Sequence, residues 1–439
     1  MTLTDDDLAS LAAYADEPEA IAEREAAFWA RPAHARVREF ARARRTPPWS
    51  TFGWVLVRVA ASVPAHVVLP PLIGGVGNLN LFVGIVANSG GGKGSSQRAA
   101  EGAVRLSGGL PFPPPVTPGT GEGMTTAFVR RSAEDPSGVE LHTESVVFDV
   151  AEVSGLAAVS GRTGSTLLSH MCQAWSGERL GFQYADAAKR LPVAANSYRA
   201  TLVVGIQPLR AGVLLDDEDG GTPQRFVWLP GTDPDIPDVA PPVPEPWHWT
   251  MPGLDVLPRE KSTGYRVIEV CDEARRTIDT EHVKRQRGDG DALDGHALYT
   301  RLKVAAVLAL LDGRGDVNDE DWYLAGTLML VSDRVREDVL AIRKTNRVRA
   351  EINRKIAQER AAEVVQDDTY RRGVHDARAS IIRLISEEPR AKSKVRKGLS
   401  KRLREYFDDA LDGLVDEGSV KVDEGRYNGQ EGTWLRTSG

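Results

Sequence analysis

Asn78-Leu79-Asn80-Leu81-Phe82-Val83-Gly84-Ile85-Val86-Ala87-Asn88-Ser89-Gly90-Gly91-Gly92-Lys93-Gly94-Ser95-Ser96 is the stretch on which the reading of this chain turns. The apolar run from Leu79 to Val86 predicts a buried strand. A glycine-rich turn follows, then Lys93, then a helix-forming segment from about Ser95 to Leu106. Strand, glycine loop and helix in that order are the setting a phosphate-binding loop needs. Glycine lets successive backbone N–H groups turn inward toward an anion, and the helix N-terminus adds partial positive charge. Asn88, Ser89, Gly90, Gly91, Gly92, Lys93, Gly94, Ser95 and Ser96 are therefore candidate nucleotide-binding residues, with Lys93 reaching the β- and γ-phosphates. Two positions depart from G-x-x-x-x-G-K-[ST]. Ala87 stands at the first glycine, and Gly94 stands where a hydroxyl ordinarily meets Mg²⁺. Ser95 or Ser96 takes up that contact, or the metal is held through water.

Outward from this stretch, the whole chain sets bounds. Its 439 residues suggest roughly two to four domains, and 41% apolar content suffices for a core. A net charge of −7 argues against a globally basic nucleic-acid coat but leaves room for a local basic groove. Cys172 and Cys271 are the two cysteines and have no metal spacing, which fits a reduced, cytoplasmic setting. The acidic start, Met1 to Asp7, lacks the apolar core of a secretion signal. No apolar run is long enough to span a membrane.

Downstream, Ser145-Val146-Val147-Phe148-Asp149-Val150-Ala151-Glu152 reads as an apolar strand ending in acids. Beside a phosphate loop, one carboxylate orders the water shell of Mg²⁺ and another polarises attacking water. Asp149 is assigned to the metal and Glu152 to the water, with the reverse left open because the two stand three apart. The segment from Thr163 to Gly177 reads as helix. Gly181 to Val193 alternates as a β-hairpin whose tip carries Lys189 and Arg190, placed to touch phosphates. Tyr198 to Pro208 is another buried strand, presenting Gln207 toward a γ-phosphate or its attacking water. An acidic loop, Asp216 to Asp219, precedes Arg225 and a hydrophobic strand, a placement suited to an arginine offered to a neighbouring subunit's ATP.

The flanks are helical. Residues 1 to about 46 read as helix with a basic cluster of Arg36, Arg38, Arg42, Arg44 and Arg45. Phe52 to Ala61 reads as buried helix, and Trp49 as a core residue or one wall of an adenine pocket. Pro230 to Pro258 reads as an extended surface arm. From about Ser262 to Ala341 the pattern is a helical lid, one helix running from Asn318 to about Val331. Arg301 in this lid is a candidate second phosphate sensor. Arg343 to Gln366 reads as a charged helix or linker without a clear apolar stripe. The segment from about Gly373 onward reads as helix, basic helix, helix and hairpin, a winged helix-turn-helix. Lys392, Lys394, Arg396, Lys397, Lys401 and Arg402 make its basic run a candidate DNA contact, with a protein contact as the alternative.

The order of these parts resembles the helicase-type AAA+ ATPases of phage, prophage and plasmid replication, and most nearly the primase-associated helicases of actinobacterial phages and mobile elements. The resemblance rests on Asn88 to Gly94, Ala174-Trp175-Ser176-Gly177-Glu178, Leu191-Pro192-Val193, Tyr198-Arg199, Val204-Gly205-Ile206-Gln207-Pro208 and Gly221-Thr222-Pro223-Gln224-Arg225-Phe226. It implies an α/β fold: a P-loop NTPase core with an α-helical lid and a winged helix. It also implies a homo-hexamer with ATP and Mg²⁺ at subunit interfaces, single-stranded and forked DNA as substrate, and a separate primase as partner. The similarity to the minichromosome-maintenance clade carries the channel contact onto Lys189 and Arg190 and the trans-acting finger onto Arg225. The expected division is 1–50, 51–250 (ATPase core), 251–341 (lid), 342–372 (linker) and 373–439 (winged helix). Two other functions are weighed beside the helicase: an origin-binding initiator or helicase loader, and an ATP-responsive transcription regulator.

Overall fold

A computed structural model describes residues 18–88, 93–132, 138–160, 166–184, 190–217, 220–253, 264–289, 294–427 and 429–438. The chain divides between Lys344 and Thr345 into two compact units.

The first unit is mixed α/β and built on a four-stranded parallel sheet. Its strands are β1 (Leu81–Val86), β2 (Ser145–Val150), β3 (Arg199–Ile206) and β4 (Phe226–Pro230), in the spatial order β2-β3-β1-β4. The register sets Val86 opposite Ile206 and Pro230, and Val150 opposite Val204. Parallel strands buried on both faces need near-continuous apolar sequence, and these four have it. Period-2 alternation sorts their side chains into two cores. Leu81, Val83, Ile85, Val147, Val203, Val227 and Leu229 join one core, with helix α1 (Pro48–Ser62) and the later helix Asp294–Leu311. Phe82, Val146, Phe148, Leu202, Phe226 and Trp228 join the other, with Met171 and Trp175 of helix Leu167–Ser176. Every residue of α1 is buried, which makes it the central helix of its layer.

Several elements differ from the sequence expectation. The helix after the glycine loop, α2, runs Lys93–Ala103 and stops short of Leu106. There the chain turns into strand Val104–Ser107, which pairs in parallel with Trp247–Thr250. The supposed surface arm is thus partly internal: Trp249 is buried and its Nε1 donates to Leu310 O at 2.6 Å. The N-terminal helical stretch is two helices, Pro18–Ala30 and Pro32–Ala43, divided where Pro32 opens the second. Residues 1–17 lie outside the described set. The expected hairpin at Gly181–Val193 is, among the described residues, one antiparallel bridge between Leu180 and Val193. An extra helix, Val153–Ser160, follows β2. Within the lid segment short strands also occur: Arg266–Val267 pairs with Val67–Val68, and Glu269–Val270 with Asp316–Val317. The helix expected to end near Val331 continues unbroken as Asp319–Ile385.

The second unit packs the end of that helix with Lys392–Gly398, the 3₁₀ turn Lys401–Tyr406 and helix Phe407–Asp416. A hairpin, Val420–Tyr427 with Gln430–Thr437, takes Arg390–Ala391 as a third antiparallel strand, with Gln430–Thr437 in the middle. Ile381, Ile385, Val395, Phe407, Leu411 and Leu435 fill its core.

Among the described residues no helix is long and apolar enough to cross a membrane.

Candidate functional site

In an open parallel sheet the crevice outside the carboxyl ends of the strands is where ligands bind, at the point where connections run in opposite directions. Here that point flanks β1. From β1 the chain crosses to β2 on one side, returns to the adjacent β3, then passes to β4 on the other side. Ala87 N–H donates to Ile206 O at 2.9 Å and Gly231 N–H to Val86 O at 2.7 Å. The residues that follow β1, β3 and β4 therefore leave the sheet side by side. They include Asn88, which is exposed, and Gln207, which is half-buried.

Six residues link β1 to α2, Ala87 to Gly92. Ser89, Gly90, Gly91 and Gly92 lie outside the described residues, and the backbone becomes helical at Lys93. Ala87 is buried, in keeping with an alanine rather than a turn glycine at that position. A methyl at Gly94 would meet nothing within 4 Å, so the departure at that position is not forced by crowding. Ser96 is fully buried and Ser95 half-buried, which leaves Ser95 the more open of the two hydroxyls.

Asp149 stands one residue before the end of β2, opposite Val203. Its backbone N–H donates to Val116 O at 2.8 Å, and among the described residues no cation is paired with its half-buried carboxylate. Burial alone pushes that carboxyl above the usual carboxylate range. Glu152 has another setting: it is exposed at the start of helix Val153–Ser160, and its carboxylate accepts from Ser154 Oγ at 3.3 Å. Among the described residues no group of three or more His, Cys, Asp or Glu side chains could hold a metal ion. A cation at this edge would rest on Asp149 together with hydroxyl, water and ligand oxygens.

A cavity of about 470 Å³ opens just beyond β4. Trp29, Trp49, Arg38, Arg42, Pro230 and Thr232 are among its lining residues. Trp49 packs with Phe28 and Trp29 at ring separations of 4.8 and 4.6 Å, so it is a core residue and a cavity wall at once. Arg42 of the N-terminal basic cluster pairs with Asp233 through Nε and Nη2 at 2.9 and 3.0 Å, and Arg45 Nη2 donates to Asp238 O at 2.6 Å. Those two arginines hold the chain leaving β4.

Arg225 lies at the opposite, amino end of the sheet, one residue before β4. It is 8% exposed; Nη1 donates to Gly220 O at 2.5 Å, and the guanidinium sits 5.4 Å from the Trp175 ring centre. Among the described residues its Nε has no hydrogen-bond partner. Behind Trp175 lies a residue that sequence reading missed. Lys303 is completely buried, and its Nζ donates to Asn78 Oδ1, Asn80 O and Trp175 O at 3.1, 2.9 and 2.6 Å. The Trp175 ring centre is 3.7 Å from it. Burial pulls its pKa well below the lysine value, while three acceptors match the three N–H donors of an ammonium. Trp175 O is one of the orphan carbonyls at the end of helix Leu167–Ser176, where a cation is favoured. Asn80 Nδ2 satisfies the neighbouring Ala174 O at 2.7 Å. The one sequence signal was a lone lysine in the apolar run Leu302 to Leu311.

Arg301 does not join the carboxyl edge. Its Nε and Nη2 donate to Trp322 O at 3.2 and 2.9 Å, and its guanidinium lies 3.8 Å from the Trp322 ring centre. Lys189 lies outside the described residues. Arg190 is half-buried and has partners, among them an acceptor in the Tyr184 carbonyl.

In the second unit Lys394, Arg396, Lys397, Lys401 and Arg402 are exposed and Lys392 is half-buried. Arg396 approaches Asp408 and Arg402 approaches Asp376, each at 3.5 Å. Among the described residues no acid is paired with Lys392, Lys394, Lys397 or Lys401. The helix preceding the hairpin, Phe407–Asp416, carries four aspartates and no cation.

No protein-family model and no curated protein sequence matches this chain.

Proposed function

We propose that the chain is a Mg²⁺–ATP-driven, ring-forming DNA helicase or translocase of phage or mobile-element replication. In this reading the first unit is a P-loop NTPase core of AAA+ helicase type with its helical lid, and the second a winged helix. One observation carries it: the order β2-β3-β1-β4, which brings the ends of the glycine-loop strand, the acidic strand and the amide-ended strand to one edge. A phosphoryl-transfer site needs those three contributions in one place.

ATP would supply the phosphoanhydride and Mg²⁺ the charge neutralisation of its phosphates. The residues divide the remaining work. The amides from Asn88 to Gly94 and the N-terminus of α2 hold the phosphates with Lys93 and Ser96. Asp149 and Ser95 hold the metal's shell. Glu152 or Gln207 orients water. The cavity beside Trp29 and Trp49 takes the nucleoside, since it opens one strand away from the loop.

Arg225 stands at the level of Leu81, and Ala87 lies six residues further along the sheet, about 20 Å away at 3.3 Å per residue. It therefore does not serve its own chain's phosphates, which supports a role toward a neighbouring subunit in a homo-hexamer. Such a role requires it to turn away from Trp175. Among the described residues its guanidinium has one hydrogen-bond acceptor, Gly220 O, and its Nε has none, so turning away costs one hydrogen bond and the Trp175 contact.

Single-stranded and forked DNA is the proposed track, gripped by Lys189, Arg190 and the basic face from Lys392 to Arg402. The acidic helix Phe407–Asp416 is poorly suited to lie against DNA phosphates, which favours the motor over an origin-reading initiator. A separate primase and a cytoplasmic site of action complete the proposal.

The test is ATP hydrolysis with and without single-stranded DNA. The parent chain should hydrolyse ATP and accelerate with DNA, and Lys93→Ala should abolish both; equal rates in the two proteins would end the assignment.

A further inference from the structure

The amino end of the sheet holds a second cavity, of about 400 Å³, on the side of the first unit away from the glycine loop. Its walls include Leu72, Leu298 and Leu302, with Arg285, His296 and Tyr299 between them. Among the described residues no aspartate or glutamate lines it. Arg285 is half-buried and forms no ion pair among the described residues, and its Nη1 is buried without a hydrogen-bond partner. An unpaired buried guanidinium nitrogen is costly unless an anion meets it. Tyr299 Oη accepts the Asn78 N–H at 2.9 Å, which leaves its own proton to donate. Trp175 stands edge-on to His296 and Tyr299, at 5.7 and 5.3 Å between ring centres. His296 is held neutral: burial, then Arg225, Lys303 and Arg285, lower its pKa to about 4.

We propose that this cavity is a binding site for a small molecule with one anionic head, carboxylate or phosphate monoester, on a flat apolar body. Arg285 and Tyr299 take the head, and the leucine and aromatic walls take the body. The volume falls in the range of small-ligand pockets, and apolar walls with few convergent polar groups are their usual make-up. The site is independent of the nucleotide reading, because none of its residues belongs to the carboxyl edge.

The test is calorimetric titration of the full-length chain with phenyl phosphate and with 3-phenylpropanoate, which separate the two head groups. At least one should bind saturably, one per chain, in the parent and equally in Lys93→Ala. Inorganic phosphate and benzyl alcohol, each lacking half of the chemistry, should bind about tenfold or more weakly. Arg285→Gln should weaken the probe by about tenfold or more. Ile73, 41% exposed at the cavity's rim, gives a substitution that spares the core, and Ile73→Glu should weaken the probe similarly. Absence of saturable binding by both probes overturns the proposal, as does binding that survives Arg285→Gln and Ile73→Glu unchanged.

Discussion

Replacing Lys303 with methionine tests whether the buried ammonium is what joins the end of helix Leu167–Ser176 to the start of β1. Methionine keeps most of the volume and the contact with Trp175, so the loss is one of hydrogen bonds. Asn78 Oδ1 retains the Asn80 N–H at 2.8 Å. Asn80 O and Trp175 O lose the ammonium that bonds them. Charge-assisted bonds contribute roughly 1.5–3 kcal/mol each and an orphaned buried carbonyl costs about 1–3 kcal/mol. Against this, removing a buried charge relieves a desolvation cost of several kcal/mol. The balance leaves Lys303→Met destabilised by about 3 kcal/mol. Tryptophan emission reports the first unit, since Trp434 is the one tryptophan of nine beyond Lys344. With a urea slope of roughly 3 kcal/mol/M the midpoint should fall by about 1 M. A variant as stable as the parent, or more stable, would show that burying the ammonium costs more than its bonds contribute, and the reasoning would fail.

Other outcomes follow from the same geometry. Asp149→Asn should fold normally and lower Mg²⁺-dependent ATP hydrolysis by about a hundredfold or more, read as initial rate against Mg²⁺ concentration; an unchanged rate would remove Asp149 from the site. Gly94→Ser should be accommodated and should stabilise α2 by about 0.5–1 kcal/mol, read from the melting temperature, since the position is open and glycine is a weak helix former. His34 is fully buried and neutral, its pKa lowered to about 3, chiefly by burial. The unfolded chain takes up this proton below about pH 6.5 and the folded chain does not, so stability should fall by about 1.4 kcal/mol per unit from pH 6.5 down to about 3. Denaturation midpoints measured against pH should flatten in His34→Gln; an identical slope would place the acid sensitivity elsewhere. Arg225→Ala should lose hydrolysis alone and regain it in rings mixed with Lys93→Ala subunits, and failure of every mixture would move the finger to another residue.

The strands of the central sheet were legible because each is a short apolar run closed by glycine, proline or an acid, and each is buried on both faces. The second unit's hairpin was expected with its turn at Gly-Arg-Tyr-Asn-Gly, residues 425–429, but strand Val420–Tyr427 runs through the first three of them, paired to Gln430–Thr437. The long helix Asp319–Ile385 was read in pieces, a lid helix, a charged helix or linker and a later helix, because its apolar stripe fades after Val331. Helical continuity there comes from a run free of glycine and proline between Thr327 and Arg372, with i,i+4 pairs such as Glu351–Lys355, Asp367–Arg371 and Asp368–Arg372 along it. Val104–Ser107 and Trp247–Thr250 could not be paired from sequence, since each gains its strand character only from the other. Lys303 was hidden for a related reason. Its acceptors lie on Asn78, Asn80 and Trp175, which no local pattern connects to it. At the carboxyl edge, sequence named Asp149 and Gln207 through their places at strand ends; spatial order then set Gln207 after the strand beside β1 and Asp149 one strand further out. Arg301 illustrates the opposite case: an arginine on the lid is a reasonable phosphate sensor by position, yet its guanidinium is engaged by Trp322.

The most direct test of the nucleotide site is ATP turnover by the purified full-length chain, with Mg²⁺ and single-stranded DNA, beside the Lys93→Ala protein under the same conditions. The account predicts Mg²⁺-dependent, DNA-accelerated hydrolysis in the first and none in the second. A parent chain that neither binds nor hydrolyses ATP, or two proteins with the same rate, would contradict it.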